Sequence, residues 1–134
     1  MRRALALALA AAALGGCNLL TGDFALSGTV DVAPRLRDRL PTGNVMLFVV
    51  AESEGGVPVA VRRIVNPEFP AEFSLESDDL LVPALRRGER VKVHAEMNAS
   101  GDAGHPKPGD LEGAAASESE SGDSGIRIVL DRVH

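Results

Sequence analysis

The chain has 134 residues, with 14 basic residues against 19 acidic ones and a net charge of −5. This length suits one domain rather than two. The acidic balance, four Phe and the lack of Trp and Tyr exclude a typical nucleic-acid binder, because such proteins need a basic surface and aromatic rings on which bases stack. A single cysteine excludes an internal disulfide and any CxxC metal or redox motif.

Residues 1–16 have the pattern of a signal peptide. Arg2 and Arg3 precede an uninterrupted Ala/Leu run from Ala4 to Leu14, and small residues follow it. As a helix this run spans only about 16 Å, against the ~30 Å of a bilayer core, so it is too short for a transmembrane segment. Removal of the leader takes two basic residues with it and leaves a net charge of −7.

The sequence around the cysteine predicts a lipid anchor. Leu14-Gly15-Gly16-Cys17 resembles a bacterial lipobox, in which Cys17 becomes the lipidated first residue; the alternative is an ordinary secretory signal with a spare thiol. Residues 17–24 form a short tether, and the eight residues from Cys17 to Ala25 reach at most about 28 Å. The protein is therefore expected to lie in the cell envelope, membrane-bound and facing the periplasm. Asn18 favours the outer membrane, since some bacteria use Asp there for inner-membrane retention.

Residues 25–134 are predicted to form one all-β domain, because apolar and polar residues alternate with a period of two. The predicted strands are residues 26–32, 44–51, 57–65, 69–76, 91–100 and 126–133, with a seventh near 111–115. The segment 44–51 is apolar on both faces, which indicates a central strand. We expect an antiparallel Ig-like β-sandwich of about seven strands.

The predicted connections are mostly short. Residues 34–40 suit one helical turn with Pro34 at its start, and Glu54-Gly55-Gly56 suits a hairpin turn. The loop 101–109 is rich in Gly and Pro, and Asp110 is a candidate to pin it through its side chain. The acidic segment 117–124 is expected to be mobile.

Metal-ligating residues are few, and the residues alone predict no metal and no cofactor. The candidates are His94, Met97, His105, His134 and Met46. His94 and Met97 lie three residues apart on one predicted strand and so point to opposite faces. Met97 shares its face with apolar residues and is interpreted as core. A periplasmic metal binder using His94 or His105 remains the alternative.

No catalytic residues are predicted, and we expect that the protein is not an enzyme. No serine lies in a Gly-x-Ser-x-Gly setting, and His94 has no evident nucleophilic partner. The adjacent Asp78 and Asp79 are typical of a turn or helix cap.

Three further motifs do not define a site by themselves. Asn98-Ala99-Ser100 matches the N-glycosylation sequon by chance. The basic doublets Arg62-Arg63 and Arg86-Arg87 suit an acidic partner, lipid headgroups or plain solvated surface.

A set of short segments resembles a known family. The most specific are Ser100-Gly101-Asp102-Ala103, Pro106 and Pro108-Gly109-Asp110-Leu111-Glu112-Gly113. They resemble the loop of the carboxy-terminal Ig-like domain of the c-type cytochrome biogenesis factor that accompanies the haem-ligation machinery. Further matches in the same order are Leu26-Ser27-Gly28-Thr29-Val30, Leu47-Phe48-Val49-Val50-Ala51, Pro58-Val59-Ala60-Val61-Arg62, Phe69-Pro70-Ala71-Glu72-Phe73-Ser74-Leu75 and Ile128-Val129-Leu130-Asp131-Arg132-Val133.

This resemblance implies the fold and a link to cytochrome c maturation, and it brings no catalytic residues. In that family the domain follows membrane helices and helical repeats that hold the apocytochrome, and this sequence shows neither. A looser resemblance, in the lipobox and the Ser27-Gly28-Thr29-Val30 start, is to pilotin-like lipoproteins that chaperone type III secretion components.

Together these patterns predict a non-catalytic, lipid-anchored envelope protein that binds or scaffolds a protein partner. The alternatives are a pilotin-like chaperone of a secretion component and a periplasmic metal-binding lipoprotein.

Overall fold

A computed structural model describes residues 23–134, which form nine strands and two short 3₁₀ helices. The predicted signal peptide, Cys17 and the tether up to residue 22 lie outside the described residues. Within the described part, no helix is long and apolar enough to cross a membrane. The strands are β1 (Ala25–Val32), β2 (Met46–Glu52), β3 (Pro58–Val65), β4 (Ala71–Glu76), β5 (Arg90–Asn98), β6 (Leu111–Ala114), β7 (Ser119–Glu120), β8 (Ile126–Leu130) and β9 (Arg132–Val133).

The strands form two sheets, which confirms the predicted Ig-like β-sandwich. One sheet has the order β4-β1-β8, and the other has the order β3-β2-β5-β6-β9, with β7 also pairing with β5. Alternation along β4 and β5 places Phe73, Leu75, Val91 and Val93 in the core between the sheets. The larger sheet has β2 at an interior position, as its apolar character on both faces predicted.

The prediction of one strand over residues 126–133 is wrong, because the chain passes from one sheet to the other within this segment. β8 pairs with β1 in parallel, with Ile128 opposite Val30, whereas β9 pairs antiparallel with β6. The change occurs at Asp131, whose backbone N–H already donates to Glu112 O of the second sheet at 3.1 Å. The alternation of apolar residues is the same on both sides of such a crossing, so periodicity cannot reveal it.

The two sheets approach closely where β6 crosses β8. An ideal Cβ built on Gly113 of β6 would lie 1.9 Å from the carbonyl oxygen of Val129 in β8. A similar contact occurs within the smaller sheet, where a Cβ on Gly28 would lie 1.9 Å from Ile126 O. Only glycine fits at these two positions.

Most predicted connections are confirmed. The residues Pro34–Arg39 form a 3₁₀ helix that buries Leu36, and the hairpin turn places Gly55 and Gly56 at φ of 91° and 79°.

The prediction of a mobile loop at residues 117–124 is wrong, because this segment contains β7. Its Ser119 is only 5% exposed and lies opposite Val91 of β5. A two-residue strand of Ser and Glu has no apolar alternation that a sequence pattern could detect.

The sandwich has two distinct ends. We call the proximal end the one at which β1 begins, since Ala25 lies opposite Glu76 there and the loops 53–57, 77–89 and 115–125 gather around it. The distal end is the opposite one, formed by residues 33–45, 66–70, 99–110 and 131–134. The chain therefore enters the domain at the proximal end.

Candidate functional site

The start of the described chain is fixed to the proximal end. Phe24 is buried, and its backbone N–H donates to the hydroxyl oxygen of Ser77 at 3.0 Å. Ser77 belongs to the second 3₁₀ helix, Ser77–Asp79, which follows β4. Lipidation of Cys17 stays a prediction, since that residue lies outside the described part, but the point at which its tether joins the domain is well defined.

His94 lies between two carboxylates on the outer face of the larger sheet. Its Nδ1 is 3.6 Å from Glu52 Oε1, and its Nε2 is 3.5 Å from Glu96 Oε1. The two ring nitrogens face different carboxylates, so a single ion bound to one nitrogen would not be shared by all three side chains. Met97 lies buried on the opposite face, as predicted.

The other candidate ligands do not join His94. His105 is exposed in the loop 101–109. His134 lies 3.7 Å from Glu112, measured from Nδ1 to Oε1, and Met46 begins β2 opposite Asn98. Between residues 23 and 134, no three His, Cys, Asp or Glu side chains are grouped so that they could hold a metal ion.

The acidic pair Asp78-Asp79 is a helix cap, as predicted, and Asp79 also forms an ion pair. Asp79 Oδ2 accepts a hydrogen bond from the backbone N–H of Glu76 at 2.8 Å, which closes a capping box. The same oxygen accepts from Arg62 Nε and Nη2 at 3.1 and 2.8 Å. Arg62 belongs to β3 of the larger sheet, so this contact joins the two sheets.

We expect Asp79→Ala to lower the free energy of unfolding by about 2 kcal/mol, because it removes a cap and a charge-assisted pair together. Asp78 is exposed and forms no side-chain hydrogen bond within residues 23–134, so Asp78→Ala is the matched control and should cost less than about 0.5 kcal/mol. Urea unfolding of both variants measures the difference. Equal losses would show that the Arg62 contact is not formed.

A buried asparagine organises the loop that follows β5. Asn98 is only 1% exposed, although the alternation of β5 predicted an outward side chain. Its Nδ2 donates to Asp102 O at 3.0 Å, and its Oδ1 accepts from the backbone N–H of Gly101 at 2.8 Å and from Ser100 Oγ at 3.3 Å. The apparent sequon therefore has no accessible amide, in agreement with its interpretation as chance.

The rest of this loop is held to the strands below it. Asp110 Oδ2 accepts from the backbone N–H of Lys107 at 2.7 Å, which confirms the predicted pin. Gly104 N–H donates to Glu96 Oε2 at 3.0 Å. The backbones of Gly109 and Asp110 bond to His134 at 3.1 and 2.8 Å, so the carboxyl terminus holds the loop as well.

We call residues 99–110 and 131–134 the distal surface. Asn98 and Glu96 of β5 bond to the loop, and backbone bonds join residues 131–134 to β6, Gly109 and Asp110. Such a loop presents one conformation to a partner, and it lies at the end of the domain opposite to Phe24. The sequence marked this loop by its Gly and Pro residues, but it did not show how Asn98 holds it.

The fold defines an Ig-like sandwich domain that presents loops from a rigid frame. Comparison with known proteins narrows this class: the family model for the Ig-like domain of cytochrome c-type biogenesis protein H matches residues 26–131. The chain belongs to this family. The resemblance inferred from the short segments is thereby confirmed.

Two individual proteins are also similar. A protein of Aquifex aeolicus (strain VF5), described only as uncharacterized, is 30% identical over 109 residues, which cover 81% of this chain and 71% of the relative. An alternative pilotin from the type II secretion system of Vibrio cholerae has a TM-score of 0.47 and 14% identity, over 81% of this chain and 96% of the pilotin. Nothing about function follows from the second likeness.

Proposed function

We propose that this protein is a non-catalytic, lipid-anchored protein of the cell envelope that binds a protein partner in cytochrome c maturation. The observation that carries the proposal is the family match, which spans residues 26–131 and thus nearly all of the sandwich. Cys17 supplies the anchor, and the domain faces the periplasm from the outer membrane. The pilotin-like and metal-binding alternatives have no comparable observation behind them.

The geometry of the domain suits this role. A tether attached at Phe24 holds the proximal end towards the membrane, within about 28 Å of Cys17. The distal surface then points away from the bilayer, where a partner can reach it. Its loop is already fixed by Asn98 and Asp110, so binding costs less conformational entropy than it would with a free loop.

We expect Cys17→Ser to move the protein from the membrane fraction to the soluble fraction, because a serine cannot receive the thioether-linked lipid. Two or more acyl chains are needed for stable attachment, and the variant has none. Fractionation of cells followed by immunoblotting measures the change. Ser27→Ala, at a position on β1, is the control and should stay with the membrane. If the Cys17→Ser variant remains membrane-bound although its mass shows that the leader has been removed, the prediction of a lipid anchor is wrong.

The partner is tested by crosslinking inside cells. A photo-crosslinking amino acid replaces Lys107 on the distal surface or, as control, Glu72 on β4, both of which are exposed. We expect the probe at residue 107 to capture a protein of cytochrome c maturation and the probe at residue 72 to capture none. Equal capture from both positions, or capture of proteins outside cytochrome c maturation only, would contradict the proposal.

A further inference from the structure

A cleft of mixed charge lies at the proximal end of the domain. It has a volume of about 650 Å³ and opens between the hairpin turn 53–56 and the turn 86–90. Four cationic side chains and four carboxylates line it. The cleft is on the same end as Phe24, because Leu85, which immediately precedes Arg86, shares a small neighbouring pocket with Phe24.

Several of these charges have no counterpart in the domain. Arg90 pairs with Glu118 at 3.4 Å, and Glu89 Oε2 accepts the backbone N–H of Arg86 at 3.0 Å. In contrast, the side chains of Arg86, Arg87, Lys92 and Glu54 form no ion pair within residues 23–134. The lining of one cleft therefore contains both unpaired cations and an unpaired carboxylate.

This arrangement fits a zwitterionic ligand rather than a simple anion. Arginine side chains bind phosphate with paired N–H donors, and a carboxylate accepts hydrogen bonds from a primary ammonium group. The loops of the proximal end, 53–57, 77–89 and 115–125, contain seven carboxylates against the two guanidinium groups of Arg86 and Arg87. A surface of that charge repels a purely anionic membrane.

We propose that the cleft receives the phosphoethanolamine headgroup of a membrane phospholipid. Arg86 and Arg87 bind its phosphate, and Glu54 binds its ammonium group, with Glu52 as a second carboxylate on the wall of the cleft. The inference rests on the proposed anchor at Cys17, which brings the proximal end to within about 28 Å of the bilayer. The headgroup contact would fix how the domain sits on its membrane.

The test uses the full chain with Cys17→Ser, which has no acyl chain of its own. The purified protein is sedimented with vesicles of phosphatidylcholine alone, with added phosphatidylethanolamine or with added phosphatidylglycerol. We expect binding to be strongest with phosphatidylethanolamine, because only this headgroup has both a phosphate and ammonium N–H donors, and weakest with phosphatidylglycerol. Soluble glycerophosphoethanolamine should compete for the site, and inorganic phosphate should compete much less.

Arg86→Ala with Arg87→Ala should weaken this binding at least about tenfold, because the two guanidinium groups supply the paired N–H donors to the phosphate. The matched control is Arg37→Ala with Arg39→Ala, which removes the same charge from exposed positions of the first 3₁₀ helix at the distal end. Thermal unfolding confirms that both double variants are folded. The leader is the same in all variants, so the lipid preference is taken from the part of the binding that Arg86→Ala with Arg87→Ala removes, to which the leader does not contribute.

The inference is overturned by equal losses in the two double variants, by a preference for phosphatidylglycerol or by no vesicle binding at all. Competition by inorganic phosphate as strong as that by glycerophosphoethanolamine would also overturn it, because the site would then be a phosphate site and not a lipid site. These outcomes are independent of the cell fractionation of Cys17→Ser, so failure of the headgroup site is distinguishable from failure of the anchor.

Discussion

Gly113→Ala should lower the free energy of unfolding by about 3 kcal/mol, the upper part of the range for overpacked interiors. The new methyl group would lie 1.9 Å from Val129 O and 2.6 Å from the carbonyl carbon of the same residue. Both atoms are backbone atoms of β8, so no side chain can rotate away and the strands themselves must separate. Because β8 supplies Ile128 and Leu130 to the core, that separation also loosens the packing between the sheets.

Urea unfolding measures this loss, and Gly28→Ala serves as a second case with the same 1.9 Å approach to backbone, at Ile126 O. The control is Ser27→Ala, one residue away on β1, which adds no atoms and should change the free energy of unfolding by less than about 0.5 kcal/mol. A loss below about 1 kcal/mol in Gly113→Ala would mean that β6 and β8 are further apart than described.

The second large effect is expected at Asn98. In Asn98→Ala the backbone N–H of Gly101 and the carbonyl of Asp102 lose their partner in a half-buried place, at a cost of about 2 to 3 kcal/mol. The loop 101–109 should also lose its fixed conformation. Hydrogen exchange of the Gly101 amide should therefore become faster by more than the global loss of stability explains.

Ser100→Ala is the control for Asn98→Ala, since the Ser100 hydroxyl only adds a 3.3 Å bond to Asn98 Oδ1 and lies on the exposed side of the loop. In Asn98→Ala, crosslinking from residue 107 should fall in cells if the fixed loop is what the partner binds. Unchanged exchange at Gly101 would show that the loop does not depend on Asn98, and unchanged crosslinking would show that the partner does not depend on the loop.

The strands of this domain follow from local chemistry. The alternation Phe73-Ser74-Leu75 and the run Val91-Lys92-Val93 place every second side chain in the core, and β2 is interior because it is apolar on both faces. Gly55 and Gly56 mark their hairpin because positive φ angles suit glycine. Such signals arise within a few residues, so one sequence is enough to read them.

Contacts between distant residues were decided by the tertiary structure. Arg62 meets Asp79 across 17 residues of chain, and Val129 approaches Gly113 only because the chain changes sheets at Asp131. Neither contact changes the alternation of apolar and polar residues in the sequence. A charged side chain on a strand, for example, fits the same alternation whether it faces water or an opposite charge. The burial of Asn98 is similar: its place on the outward face of β5 was evident, but the loop that folds over it was not.

For the candidate sites too, the sequence indicated single residues and the tertiary structure decided which of them lie together. Lipidation of Cys17 was predicted from the sequence because a processing signal is a linear segment, and the basic doublet Arg86-Arg87 was visible for the same reason. That this doublet faces Glu54 across a cleft, at the end where the chain enters, depends on how β2, β3 and β5 align their ends. The sequence determined the strands and most turns of this protein, and it predicts Cys17 as the membrane attachment point. The sheet pairing determined which charges meet, because charge pairing depends on distance in space and not on distance along the chain.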